Sequence, residues 1–172
     1  MTPFAQYAPV LYYGTMKITL LAVGKTHDTY LREGIEKYLK RLGHYVNFAF
    51  IETKDIKTTK GLTPEEQSRM EGAIILKYLH PSDFVILLDE HGKEFTSKKF
   101  STFIEKKLIE SLPHLVFVIG GPYGFGKEVE NRANESLSLS QMTFAHEMVR
   151  LITLEQIYRA FTIIKGEPYH HD

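Results

Sequence analysis

Apolar and polar positions along the chain follow two periods that take turns. Lys17 to Val23 and Val46 to Ile51 are short apolar runs, whereas Asp28 to Arg41 spaces Tyr30, Leu31, Ile35, Tyr38 and Leu39 at helical intervals, with Leu42 following. The runs read as strands and the spaced segment as one face of a helix. A second helix is announced by its cap: Thr63-Pro64-Glu65-Glu66 supplies a hydroxyl N-cap, a proline at the first helical position and a glutamate three residues past the cap. It is expected from Pro64 to about Leu79, where His80-Pro81-Ser82-Asp83 stops it. Phe84 to Asp89 is then an apolar strand, Ser97 to about Ser111 a helix through Phe100, Phe103, Ile104 and Leu108, and Leu115 to Ile119 a wholly apolar strand. The glycine-rich turn Gly120 to Gly126 leads to a short charged helix from Lys127 to about Asn134, a weak strand around Leu137 to Thr143, and a last helix from about His146 to Lys165.

Strands that alternate with helices, and inner strands apolar at nearly every position, predict an α/β fold with a parallel sheet flanked by helices. The last helix adds a second expectation. Met148, Val149, Leu151, Ile152, Leu154, Ile157, Tyr158, Ala160, Phe161, Ile163 and Ile164 leave only a narrow polar stripe of Arg150, Glu155, Gln156, Arg159 and Thr162. A helix apolar this far around wants cover on two sides. One is its own sheet. The other is expected to be a second copy of the chain, with full burial inside a monomer as the competing reading.

Composition changes the picture in several ways. A chain of 172 residues with 43% apolar side chains can bury a core without staples. The first fifteen residues carry no charge and lack the basic segment and apolar stretch of a secretory signal, so residues 1–15 are expected to be an extension and residues 16–172 a single domain. The absence of cysteine excludes disulfides, thiol nucleophiles, zinc-thiolate sites and iron-sulfur clusters. No run approaches the roughly 20 apolar residues of a membrane span, which predicts a soluble chain. Finally, 21 basic against 21 acidic side chains argue against a strong nonspecific grip on nucleic acid. Lys25, Arg32, Lys37, Lys40 and Arg41, at and around the first helix, are equally readable as phosphate contacts or as a solvated face, since Asp28, Glu33 and Glu36 interleave them.

The glycine-rich turn is the sharpest local feature, and three chemistries compete for it. No register of Gly120 to Gly126 gives the dinucleotide fingerprint G-x-G-x-x-G. Gly121 to Lys127 does fit the phosphate loop G-x-x-x-x-G-K, but Glu128 stands where a serine or threonine should hold magnesium, and the loop follows the acidic strand VILLDE instead of preceding it. The favoured reading is a strand-to-helix turn whose glycines let a ligand approach the backbone.

MKITLLAVGK (Met16 to Lys25), VILLDEHGKEFTS, FVIGGPYGFGKEV, LSLSQMTFAHEMVRLITLEQIYRAF and the terminal GEPYHHD together resemble the ribosomal large-subunit methyltransferase H family, in order and at natural spacing. That family belongs to the SPOUT class of S-adenosylmethionine-dependent RNA methyltransferases. The resemblance implies an α/β domain whose C-terminal part is threaded into a trefoil knot, a cytoplasmic homodimer, and no metal. It also implies S-adenosylmethionine as methyl donor and N3 of a pseudouridine in 23S ribosomal RNA as acceptor. Carried over, the donor contacts are Leu88, Gly120, Gly121, Leu139, Ser140, Gln141, Met142, Thr143 and Phe144. By pattern alone Leu139, Met142 and Phe144 read as ordinary core. Candidates for acid-base or RNA-positioning work are His146, Arg150, Tyr158, Arg159, Tyr169, His170 and His171, of which His146, Arg150, Tyr169 and His170 are the expected catalytic set. His146 and Arg150, four residues apart, share a helical face. A nucleotide hydrolase built on Gly121 to Lys127, and a ribosome-associated module without chemistry, remain as alternatives.

Overall fold

The computed structural model describes residues 16–54, 56 and 61–171; the expected extension, residues 1–15, lies outside the described residues. The elements follow in strict alternation: β1 (Lys17–Ala22), α1 (Thr29–Leu42), β2 (Asn47–Glu52), α2 (Pro64–Leu76), β3 (Phe84–Glu94), α3 (Ser97–Ile109), β4 (His114–Ile119), α4 (Lys127–Arg132), β5 (Glu135–Ser138) and α5 (His146–Ile164). The strands form one sheet in the order β2-β1-β4-β3-β5, and every neighbouring pair is parallel. This is the α/β class that the periodicity predicts.

The sheet is apolar on both faces because strand side chains alternate and both faces are covered. Ile18, Leu20, Phe48, Phe50, Leu115 and Phe117 meet Ile35 and Leu39 of α1, Ile104 of α3, and Leu154, Ile157 and Phe161 of α5. Leu21, Val85, Leu87, Val116 and Val118 meet Ile75 of α2 and Val129 of α4 on the other side. A single crossover hand enforces this division. α1 and α3 connect strands in one direction across the sheet, α2 and α4 in the other, so right-handed crossovers place the pairs on opposite faces. The direction changes between β1 and β4, and the crevice at their carboxyl ends is where such sheets bind ligands.

Local chemistry explains the element ends. The expected capping box is formed: Thr63 Oγ1 accepts from the Glu66 backbone N–H at 3.1 Å, and Glu66 Oε2 accepts from the Thr63 N–H at 2.8 Å. Two strands differ from expectation. β3 runs on past Asp89 to Glu94, because β5 pairs with it on both sides of an excursion between Leu88 and Lys93. β5 lies earlier than expected and ends at Ser138, so Leu139 to Ala145 is loop.

Gly92 sits where β3 rejoins β5. A methyl group added there would lie 2.6 Å from the Leu137 backbone nitrogen. Gly92→Ala is therefore expected to cost about 1–3 kcal/mol by overpacking against backbone that cannot yield. A urea midpoint unchanged from the parent would refute this.

Candidate active site

At the carboxyl ends of β3 and β4 the described residues enclose a cavity of about 550 Å³. The structure brings Leu88, Gly120, Gly121, Leu139, Ser140, Met142, Thr143 and Phe144 together in its lining. Gln141 is not among them; its amide turns toward Glu94 Oε2 at 3.5 Å. The loop from Leu139 curls around the cavity and is held by its own hydroxyls: Ser138 Oγ donates to the Ser140 carbonyl at 3.0 Å, and Ser140 Oγ accepts from the Met142 N–H at 3.0 Å. This leaves Met142 75% exposed, an unusual position for a large apolar side chain.

The glycine-rich turn closes on itself, with the Gly124 N–H donating to the Gly121 carbonyl at 3.2 Å and Gly124 at φ +74°. Its amides do not open into a phosphate cradle. Asp89, Glu90 and His91 from the β3 excursion and Glu130 from α4 complete the lining. Carboxylates there would repel phosphate, and Lys127 is exposed outside the cavity. The cavity has one apolar wall and one acidic wall, which suits a ligand with a flat apolar part and positive charge.

A smaller cavity of about 250 Å³ lies at the ends of β1 and β4, lined by Lys25, His27, Gln67, Glu71, Glu147 and Arg150 among others. Gly121, Pro122 and His146 line both cavities. His146 opens α5 and is half-buried at this junction. Burial, and then the Arg150 cation, hold its pKa below the ordinary histidine value, with a hydrogen bond to the Val23 backbone and the Glu147 carboxylate partly offsetting them. Its imidazole is neutral at pH 7. A neutral imidazole has a ring nitrogen able to take a proton.

Arg150 shares that helical face but reaches elsewhere. It is 1% exposed. Nη1 donates to Thr26 Oγ1 at 2.8 Å and to Glu52 Oε1 at 2.9 Å, and Nη2 donates to the Val23 carbonyl at 2.8 Å. Glu52 Oε1 also accepts from the Thr26 backbone N–H at 2.8 Å. Arg150 thus ties α5 to the ends of β1 and β2. Glu147 does similar work at the entry of α1, where its Oε2 accepts from the His27 and Asp28 N–H groups at 2.9 and 3.2 Å.

Tyr169 and His170 are not brought to the cavity lining. The Tyr169 hydroxyl pairs with that of Tyr38 at 3.1 Å and with Glu155 Oε1 at 3.2 Å, and its ring packs edge-on against Tyr158. His170 Nδ1 lies 3.3 Å from Arg159 Nη1, and Arg159 in turn holds Glu155. The tail is therefore organised against the second half of α5, away from His146. The basic residues around α1 divide: Arg32 Nε donates to the Thr26 carbonyl at 2.7 Å and Arg41 lies over the Tyr38 and Tyr158 rings, while Lys37 and Lys40 are exposed.

Sequence reasoning missed Glu52, Thr26, Gln67, Glu71 and Glu130. Glu130 and Glu71 sit in helices whose pattern looks solvated, and only the tertiary packing shows where they point. An acid closing the otherwise apolar β2 was the one available sign for Glu52.

Comparison with known proteins agrees with this geometry. The family model described as "Predicted SPOUT methyltransferase" matches residues 16–170. The chain is 53% identical over 157 residues to the ribosomal RNA large subunit methyltransferase H of Parabacteroides distasonis, covering 91% of this chain and 100% of that protein. It is 50% identical to the Bacteroides fragilis protein of the same name over 91% of this chain and 100% of that one. For the Christiangramia forsetii protein the identity is 52%, over 91% and 99%. With its family model spanning nearly all the described fold, and relatives half identical from end to end, the chain belongs to the SPOUT methyltransferase family, alongside the ribosomal RNA large subunit methyltransferases H.

Proposed function

We propose that the protein methylates N3 of a pseudouridine in the 23S RNA of the large ribosomal subunit, using S-adenosylmethionine and no metal. The observation that carries this reading is the larger cavity, in which two glycines, an apolar loop and an acidic wall converge beside a neutral histidine in a SPOUT chain. The cavity fits the donor on physical grounds. Its volume falls in the usual ligand-pocket range of about 300–1,000 Å³, the bare backbone of Gly120 and Gly121 admits close approach, and carboxylates face where positive charge would lie.

When bound, S-adenosylmethionine supplies an electrophilic methyl group on a sulfonium. Leu88, Leu139, Met142 and Phe144 would cover the flat faces of its purine, while loop amides and carbonyls take the polar edge. Asp89, Glu90 and Glu130 provide the field that favours a cation. In-line displacement needs the acceptor nitrogen aligned with that methyl and freed of its imide proton. His146 is the group placed to take it: neutral, at the seam of the two cavities, with Val23 fixing the ring.

The working unit is a homodimer in which Tyr169 and His170 of one subunit close the cavity of the other. Support comes from α5, where Met148, Ile152 and Ile163 are half-buried yet lie outside the core clusters. The trefoil knot belongs to the same proposal, supported by a chain that leaves the middle strand β4 for the edge strand β5 and returns in α5 against α1 and α3. Among the described residues no helix is long and apolar enough to cross a membrane, and cytoplasmic ribosomes are the proposed partner.

Calorimetric titration with S-adenosylmethionine, or with its demethylated product, tests the donor assignment. Micromolar binding at one site per chain is expected, about −8 kcal/mol. A folded protein that binds neither compound would overturn the reading, and binding without methylation of undermethylated ribosomes would leave only a binding module.

A further inference from the structure

The Gly120–Pro122 turn rests on a buried carboxyl group that neither the family resemblance nor the proposed mechanism uses. Glu71 of α2 is 4% exposed. Its Oε1 accepts from Gln67 Nε2 at 2.9 Å within the same helix, and its Oε2 is buried without a hydrogen-bond partner. A side chain at Gly121 would overlap this carboxyl group directly. Contact between the Glu71 head and the bare Gly121 backbone is thus what fixes the turn from behind. The rest of α2 backs the same segment: a methyl at Gly126 would approach the Ser68 carbonyl at 3.2 Å, and one at Gly72 would approach Val129 of α4 at 3.0 Å. Burial pushes the Glu71 pKa up, against the opposing effects of Gln67 and the Gly121 amide.

Gly121 and Pro122 form the wall common to both cavities, with Glu71 on the side of the smaller one. A displacement of this wall by a few tenths of an ångström changes the depth of the larger cavity at the point where the donor meets the backbone. The geometry points to Glu71 as a positioning residue that sets the depth of the glycine turn and, through Gly121, the affinity for the methyl donor. This rests on reading the larger cavity as the donor site. Glu71 touches no reacting atom; it acts through the backbone it supports.

The test is a double-mutant cycle on donor affinity, read by calorimetry with the demethylated product and accompanied by thermal denaturation of each variant. Glu71→Ala is expected to weaken binding about tenfold, while Glu71→Gln, which keeps the shape of the head, stays within about threefold. Gly121→Ala is expected to weaken binding as well. Combining it with Glu71→Ala should restore part of the loss, because the added methyl then has room. A purely structural role would move the melting temperatures and leave the affinity of the folded protein untouched. Unchanged affinity in Glu71→Ala, or strictly additive effects of the two substitutions, would overturn the proposal. Should Glu71→Ala fail to fold, Glu71→Asp withdraws the same carboxyl by one methylene, and wild-type affinity there overturns it equally. Absence of binding by the parent protein would instead remove the donor-site reading, and this proposal with it.

Discussion

Replacing Arg150 by alanine is expected to lower the unfolding free energy by about 3–5 kcal/mol, the usual cost of leaving the partner of a buried ion pair unpaired. Glu52, with its side chain 5% exposed, would be left with the Lys25 ammonium at 4.0 Å and the Thr26 N–H in place of the guanidinium. For a domain of this size each kcal/mol moves the melting temperature by roughly 2–4 °C, so a fall of about 10 °C is the measurable outcome. Lysine should not rescue. Arg150 spans Thr26, Glu52 and the Val23 carbonyl with a planar fork, and a single ammonium cannot reach all three. Arg150→Met combined with Glu52→Leu should recover much of the loss, because it removes both charges together. A melting temperature within 2 °C of the parent in Arg150→Ala would refute the bracing role. Single-turnover rates, measured at low temperature where the variant stays folded, separate that role from contact with substrate.

His146→Ala is expected to act on rate more than on stability. Loss of a positioned general base typically costs about 10²–10⁴-fold, so the single-turnover methylation rate should fall by that range with donor affinity changed only a few-fold. The pH profile supplies an independent check. Because burial and Arg150 lower the His146 pKa, the imidazole is neutral over the physiological range and gains its proton only on acidification. The parent rate should therefore be flat near neutrality and decline below pH 6.5, the ordinary histidine value, as His146 protonates. That acid limb should be missing from the residual activity of His146→Ala. A variant within threefold of the parent rate, or one that keeps the same acid limb, would assign the proton to another group.

Much of the scaffold was legible because it is written in local chemistry. The Thr63–Glu66 capping box, the apolar β1 and β4 and the spacing of α1 each encode their element within a few residues. β5 shows the opposite case. Glu135 to Ser138 is a strand because β3 offers it an edge on either side of the excursion at Asp89, and no local pattern records that partner. The residues proposed to hold the donor were legible as a family-like string but not as a cavity, since Leu139, Met142 and Phe144 have the composition of core. The burial of Arg150 and Glu71 was hidden for a related reason: a charged residue in a helix looks solvated until the elements packed over it are known. The i to i+4 spacing of His146 and Arg150 did report a shared face. It could not report that the longer side chain passes beneath the strand ends while the shorter one stops at the cavity.

α5 also works as a ruler. Its 19 residues give a rod of about 28 Å, with His146 at its first position and Tyr158, the helix's member of the Tyr38–Tyr158–Tyr169 cluster, about 18 Å further along. In the proposed homodimer, that spacing would set how far each aromatic cluster lies from the cavity of its own subunit. The helix geometry then fixes the separation between His146, the proposed proton acceptor, and the aromatic cluster. Inserting or deleting a residue in α5 would rotate one end by about 100° relative to the other, so this helix has little freedom to drift in length even where its individual side chains do.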